Sequence, residues 1–266
     1  MIDLPSRALI GMVHLPALPG SAGSLLPMDE IVERAVADAR TLKAAGFHAV
    51  IVENFGDMPF PAEHLPSATI AALAVAADHV RRATGLPVGI NALRNDPIAA
   101  LGIAAAADAS FIRVNVHTGV SATDQGMLSG RANETLRYRR ELGKRIAILA
   151  DVHVKHGRPI SEPDIARAAK EAAYRGMADA LVVSGPGTGE ATALDDLRQV
   201  RAAVPDRRIF VGSGATAQTV GDLLSIATGV IVGSSLKPGG DASRPIDADL
   251  AAAFVEAAAT SRSVGR

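Results

Sequence analysis

The sequence predicts an α/β protein, a (β/α)8 barrel, and three observations carry that prediction. Eight short apolar runs alternate with amphipathic or Ala-rich helical patterns. The runs begin every roughly 20 to 40 residues, the spacing of βα units rather than of hairpins. Polar residues of the kind that do chemistry gather where the runs end, as they do at the carboxyl face of such barrels. A length of 266 residues suits one barrel of about 250, and no linker or shift in composition divides the chain. One domain over 1–266 is expected. A doubly wound open sheet is the alternative, but it seldom repeats eight equal units.

In order, the strand-like runs are ALIGMVHL (8–15), AVIVENF (49–55), PVGINAL (87–93), FIRVNVH (111–117), IAILADVHVK (146–155), ALVVSG (180–185), IFVGSG (209–214) and GVIVGSSLK (229–237). Helical patterns occupy 29–45, 66–83, 97–107, 134–142, 163–175, 194–203, 217–227 and 247–260. Local signals mark their ends. Asp96 before Pro97 is an N-cap followed by proline at the first helical position. Ser161 with Asp164 resembles a capping box, and Gly46 and Gly176 stand where helices should stop. Two connections are too long for turns. One is 16–27, and the other, 118–133, is expected to be a lid over the barrel mouth.

Formal net charge is −1, from 27 Lys and Arg against 28 Asp and Glu. This balance offers no basic surface for nucleic acid and no polybasic cluster for an anionic membrane. There are no cysteines, which excludes disulfides, thiolate catalysis and Cys-type zinc sites. The opening MIDLPSRALIGMVHL lacks the basic head and apolar run of a signal peptide. No stretch of about 18 apolar residues is present to span a bilayer. A cytoplasmic protein is expected.

The stretch richest in chemistry is IAILADVHVKH (146–156). Its apolar start reads as buried strand, and its end carries Asp151, His153, Lys155 and His156. Side chains of a strand alternate faces, so Asp151, His153 and Lys155 are expected on one side, pointing into the barrel mouth with Glu53 across it. A buried strand does not carry such groups without partners or a ligand. His156, of the other parity, is expected to face the helices, and His48, His64 and His79 the surface.

Other run ends supply His14; Glu53, Asn54 and Asp57; Asn91 and Arg94; Arg113, Asn115 and His117; and Ser184, which opens SGPGTGE (184–190). Any one of them is as readily a paired buried group as a functional one; Arg113 could be the buried partner of Asp151. Their convergence on one rim favours a site. Glu53, Asp151, His153 and Lys155 are then the catalytic candidates. His14, Asn91, Arg113, Asn115 and His117 are candidates for holding substrate.

After the seventh and eighth runs come Gly212-Ser213-Gly214-Ala215-Thr216 and Gly233-Ser234-Ser235. Loops at these two places commonly hold a phosphate, with glycines admitting the anion and free N–H groups binding it. Ser184, Gly212, Ser213, Gly214, Gly233 and Ser234 are the phosphate candidates. His14, Glu53, Asp151 and His153 also offer ligands to a divalent metal as a cofactor, although no HExxH-like spacing marks them. Lys155 is either a Schiff-base amine or an anchor for an anionic substrate, and the residues leave both open.

IGMVHLPALPGS (10–21), IVENFGDMPF (51–60), TDQGMLSGRANETLRYRREL (123–142), ADVHVKH (150–156) and IVGSSLKPGG (231–240) together resemble the BtpA/SgcQ family, over nearly the whole chain. The resemblance implies a TIM barrel of the phosphate-binding type. It implies a tie to photosystem I accumulation in one branch and to sugar uptake and metabolism in another. It supplies no catalytic set, but its motifs contain His14, Glu53, Asp57, Asp151, His153 and Lys155. The function expected is an enzyme that acts on a small phosphorylated metabolite, a sugar phosphate, by isomerisation, epimerisation or aldol cleavage, partnered by further copies of itself. Two alternatives stand: a non-enzymatic accessory protein in photosystem or membrane-complex biogenesis, and a nucleotide-processing barrel. Against the latter counts the scarcity of aromatic residues, with no Trp and two Tyr.

Overall fold

A computed structural model of the chain describes residues 3–185, 187 and 192–260. In chain order its strands are β1 (Ala8–His14), β2 (Ala49–Glu53), β3 (Val88–Asn91), β4 (Phe111–Val114), β5 (Val120–Thr123), β6 (Gly126–Ser129), β7 (Ala147–Asp151), β8 (Gly157–Pro159), β9 (Ala180–Val183), β10 (Arg208–Val211) and β11 (Gly229–Val232). The helices are α1 (Met28–Ala45), α2 (Ser67–Thr84), α3 (Pro97–Ala106), α4 (Ala132–Glu141), α5 (Ile165–Lys170), α6 (Leu194–Ala203), α7 (Val220–Ile226) and α8 (Ala248–Thr260). Eight parallel strands close into a barrel in the order β1-β11-β10-β9-β7-β4-β3-β2, so the chain is a (β/α)8 TIM barrel.

The alternation of strand residues builds two cores. Ala8, Ile10 and Met12, Ala49 and Ile51, Phe111, Ala147 and Leu149, Ala180 and Val182, Phe210 and Ile231 fill the barrel interior. Their neighbours of opposite parity, such as Leu9, Val13, Val50, Val52, Ile148 and Val211, pack outward against the helices. A Cβ on Gly89 would lie 2.1 Å from the Phe111 ring, so the glycine leaves the room that ring fills. The helix signals mostly hold. Asp96 caps α3 by accepting from Ala99 N at 2.9 Å, and Gly46 ends α1 at φ 101°.

Several expectations need correction. Ser161 does not form a capping box; its hydroxyl accepts from Val120 N at 2.6 Å, while Asp164 alone caps α5. The helix expected at 163–175 widens after Lys170 into a π-helical turn over Glu171–Arg175. Gly176 follows at φ −77°, a right-handed value, and is small because a Cβ would meet Thr118 and Ala172 O.

More consequential, the barrel strands stop early. The fourth run leaves its ladder after Val114 and the fifth after Asp151. Past that point the alternation rule has no hydrogen-bonded partner to enforce it. Val116 and Val154 instead turn under the hairpin β5–β6 and bury against Leu128. β8 then pairs antiparallel with β5. The segment expected to be a lid is a hairpin, joined with β8 in a three-stranded sheet, β6-β5-β8. No helix among the described residues is long and apolar enough to cross a membrane.

Candidate active site

Register brings the first candidates together. His14 lies opposite Glu53, Glu53 opposite Asn91, and Asn91 opposite Arg113, on four adjacent strands. All four continue the inward-facing parity of the interior core. Asn91 Nδ2 donates to Glu53 Oε2, and His14 Nε2 stands 3.7 Å from Glu53 Oε1. Burial raises the Glu53 pKa, but Lys155, His14 and Arg113, with the Asn91 amide, outweigh it, and the carboxyl lies below its usual range. Glu53 is therefore a carboxylate at neutral pH. The Lys155 ammonium is pushed below the usual lysine range, first by burial; Glu53 opposes this, and Arg113 adds to it. No hydrogen bond or close ion pair holds its Nζ among the described residues.

Asp151 belongs to a different arrangement, and its assignment as a base is corrected. Arg113 donates to both its oxygens, Nε to Oδ1 at 2.9 Å and Nη2 to Oδ2 at 3.1 Å. Asn115 Nδ2 also donates to Oδ2, at 3.1 Å. The pair is shut off from solvent, with side-chain exposures of 1% and 0%. Arg113 is held further by the Ser184 hydroxyl at 3.3 Å, which puts Ser184 in its support. Asp151 is thus the group that orients Arg113, as bidentate pairing fixes a guanidinium in one plane.

His153 and His117 do not reach the mouth. His153 Nε2 bonds Glu162 O at 3.0 Å beside the hairpin sheet, and the buried His117 bonds Gly176 O through Nε2 at 2.7 Å, at the end of the π-helical turn. Both follow the last ladder residue of their strands. Because Asp151 is paired and His153 is turned away, the four residues expected to hold a metal are not brought together. Among the described residues no group of three or more His, Cys, Asp or Glu could hold a metal ion. Asp57 is a clamp: it accepts from Leu18 N at 2.7 Å and from Asn54 Nδ2 at 2.9 Å, tying the loops after β1 and β2. His156 is exposed beside the mouth instead of facing the helices, and His48 is partly buried, accepting from Leu9 N at 3.0 Å.

The phosphate candidates converge with the charged ones. A cavity of about 340 Å³ is lined by Gly212, Ser213, Gly214, Gly233 and Ser234 together with His14, Arg113 and Lys155. The N–H groups of Gly214, Ala215, Ser234 and Ser235 have no hydrogen-bond partner among the described residues. Gly212 and Gly233 are needed for space, since a Cβ would lie 2.4 Å from Ser184 Oγ in the first case and 2.8 Å from His14 Cε1 in the second. Of the run SGPGTGE, residues 186 and 188–190 lie outside the described residues. Among the described residues, the buried Asn91 Oδ1 and Asn115 Oδ1 find no hydrogen-bond partner.

Two contributors escaped the sequence reading. Lys237 is fully buried, donating to Ala242 O at 2.8 Å and facing Asp38 at 3.9 Å. It folds the loop that brings Gly240 to the cavity. Its place in the eighth run, of one parity with Gly233, was the available signal. Phe55, Met58, Phe60, Leu93 and Arg94 line a second cavity of about 350 Å³, which also meets Glu53 and Lys155 and the hairpin turn at Asp124 and Gln125. No local pattern marked it.

His14 makes one pH prediction. Its pKa falls from 6.5 to about 4, first through burial, against the pull of Glu53 and with Lys237 and Lys155 adding to the fall. The folded state then binds the proton less well than the unfolded state. Stability should therefore fall as pH drops from about 6.5 toward 4, by up to roughly 3 kcal/mol in total. Urea unfolding across this range should show a shallower slope for His14→Gln. An unchanged slope rejects the assignment.

The model of the BtpA family matches residues 5–260. The chain belongs to the BtpA family. Among its relatives is the photosystem I biogenesis protein BtpA of Synechocystis sp., 46% identical over 251 residues, covering 94% of this chain and 88% of that one. Solved structures of like fold include phosphoribosyl anthranilate isomerase from Thermus thermophilus, with a TM-score of 0.57 at 15% identity over 96% of this chain and 99% of that one. Orotidine 5'-phosphate decarboxylase from Pyrococcus horikoshii matches with a TM-score of 0.57 at 16% identity over 94% and 99%. At these identities the likeness is one of fold, and it places this BtpA-family chain among TIM barrels.

Proposed function

We propose that the protein is an enzyme acting on a small phosphorylated metabolite, of the sugar-phosphate kind, by proton transfer. One observation carries this: the cavity that joins the Gly212 and Gly233 loops to His14, Arg113 and Lys155. Free N–H groups on two loops suit a phosphate, and the cations beside them suit an anionic intermediate. Glu53, ionised and hydrogen-bonded by Asn91, is the base that removes a proton next to a carbonyl. Lys155 stabilises the enolate oxygen that forms, and Glu53 returns the proton to the neighbouring carbon. The two like-fold enzymes bear names of phosphorylated substrates, which supports the phosphate assignment.

The name of the Synechocystis relative supports the accessory-protein alternative. That alternative predicts rim charges that only pair internally. Asp151 and Arg113 meet it, while Lys155, without a close partner among the described residues, does not.

A thermal-shift panel of sugar phosphates and inorganic phosphate, with and without divalent metals, tests the proposal, because a ligand of the folded state raises its melting temperature. Gly214 stands at φ 70° and lines the cavity. Gly214→Leu should weaken a phosphorylated hit at least tenfold with the circular dichroism spectrum unchanged. Equal affinity in the variant sinks the phosphate site.

A further inference from the structure

We propose that the substrate is a phosphate ester carrying an apolar, planar ring, seated in the second cavity while its phosphate occupies the first. This rests on the phosphate-binding assignment above and narrows its substrate from a plain sugar phosphate to a phosphate ester that also bears a ring. The two cavities, of about 340 and 350 Å³, share Lys155 as a common wall, so one ligand can span both past that ammonium. They differ in character. The first is rich in glycine and serine, and the second carries Phe55, Met58, Phe60 and Leu93 among its polar neighbours.

A free sugar presents hydroxyls on every side. Against those four side chains a hydroxyl finds no partner, and only the polar residues at the cavity's margin, such as Arg94, Asp124 and Gln125, could bond it. An apolar ring loses nothing there, and aromatic walls favour it by stacking or edge contact. Arg94 borders the same space, held in place by its Nη2 donating to Lys155 O at 2.5 Å. A fixed guanidinium offers a flat face to a ring. Asp124 and Gln125, at the hairpin turn, supply a polar margin where ring substituents would emerge. The scarcity of aromatic residues in the chain is offset by position, since two of its six phenylalanines stand at this one cavity.

Calorimetric titration with ribose 5-phosphate, UMP, AMP, phenyl phosphate and uridine tests the inference. At least one ring-bearing phosphate should bind ten or more times tighter than ribose 5-phosphate. Phe60→Ala should remove most of that margin while leaving ribose 5-phosphate affinity unchanged. Met58→Asp, at a residue 57% exposed, should do the same. Equal affinities for ribose 5-phosphate and all ring-bearing phosphates would overturn the ring assignment and leave the phosphate assignment standing. Binding of none of the phosphates would overturn both. Uridine binding as tightly as UMP would also overturn the inference, since the phosphate would then contribute nothing.

Discussion

Asp151→Asn should destabilise the protein by about 3–5 kcal/mol, the usual cost of removing one partner from a buried ion pair. The amide matches the carboxylate in size, so packing is conserved and the charge alone is lost. Arg113 would remain buried without its paired carboxylate, left with Glu53 as the remaining negative charge that acts on it, while Asp151 is the main partner that now holds its guanidinium above the usual arginine range against burial. Asn115 would lose an ionised acceptor as well. A melting temperature lower by on the order of 10 °C follows for a chain of this size. Chemical denaturation measures the change directly. A loss under 1 kcal/mol would mean that Asp151 is not the charge that anchors Arg113.

Lys155→Met should do the reverse, leaving stability intact and removing turnover. The methionine keeps the apolar stem and discards an ammonium that burial disfavours, while Glu53 loses a nearby positive charge, so the two effects offset and melting should change little. Turnover on any phosphorylated hit should fall by about a thousandfold, the scale of losing a group that stabilises developing charge. Borohydride added with a carbonyl substrate separates the two roles open to this lysine. Trapping of a covalent adduct at Lys155 identifies an imine; loss of turnover in the variant with no trapping in the parent identifies electrostatic stabilisation. A variant retaining a tenth or more of parental turnover excludes both.

Where backbone ladders continue, the placement of the candidate side chains was legible from residue order. His14, Glu53, Asn91 and Arg113 are ladder residues, and parity put all four inside the barrel. His117 and His153 lie two or more residues past the last ladder residue, and both turn away. Lys155 reaches the mouth through a bend whose course is decided by burying Val154 against Val116 and Leu128. The sequence named that lysine correctly as facing the mouth, but for a reason that does not operate there.

The barrel and the two Gly/Ser loops were determined by the sequence alone, because they follow from local regularities. Alternating strands, amphipathic helices and loops of fixed position after the seventh and eighth strands each express short-range rules that survive without knowledge of neighbours. Which polar groups pair and which stay available was decided only by tertiary structure. Asp151 and Lys155 are four residues apart in the chain, yet Asp151 is taken by an arginine 38 residues away while Lys155 stands open between two cavities. The apolar cavity arises the same way, from Phe55 and Phe60 after β2 and Leu93 after β3 meeting the hairpin turn after β5. Burial and ionic pairing depend on distances in space, and a linear sequence records those distances only where a ladder or a helix converts them into spacing.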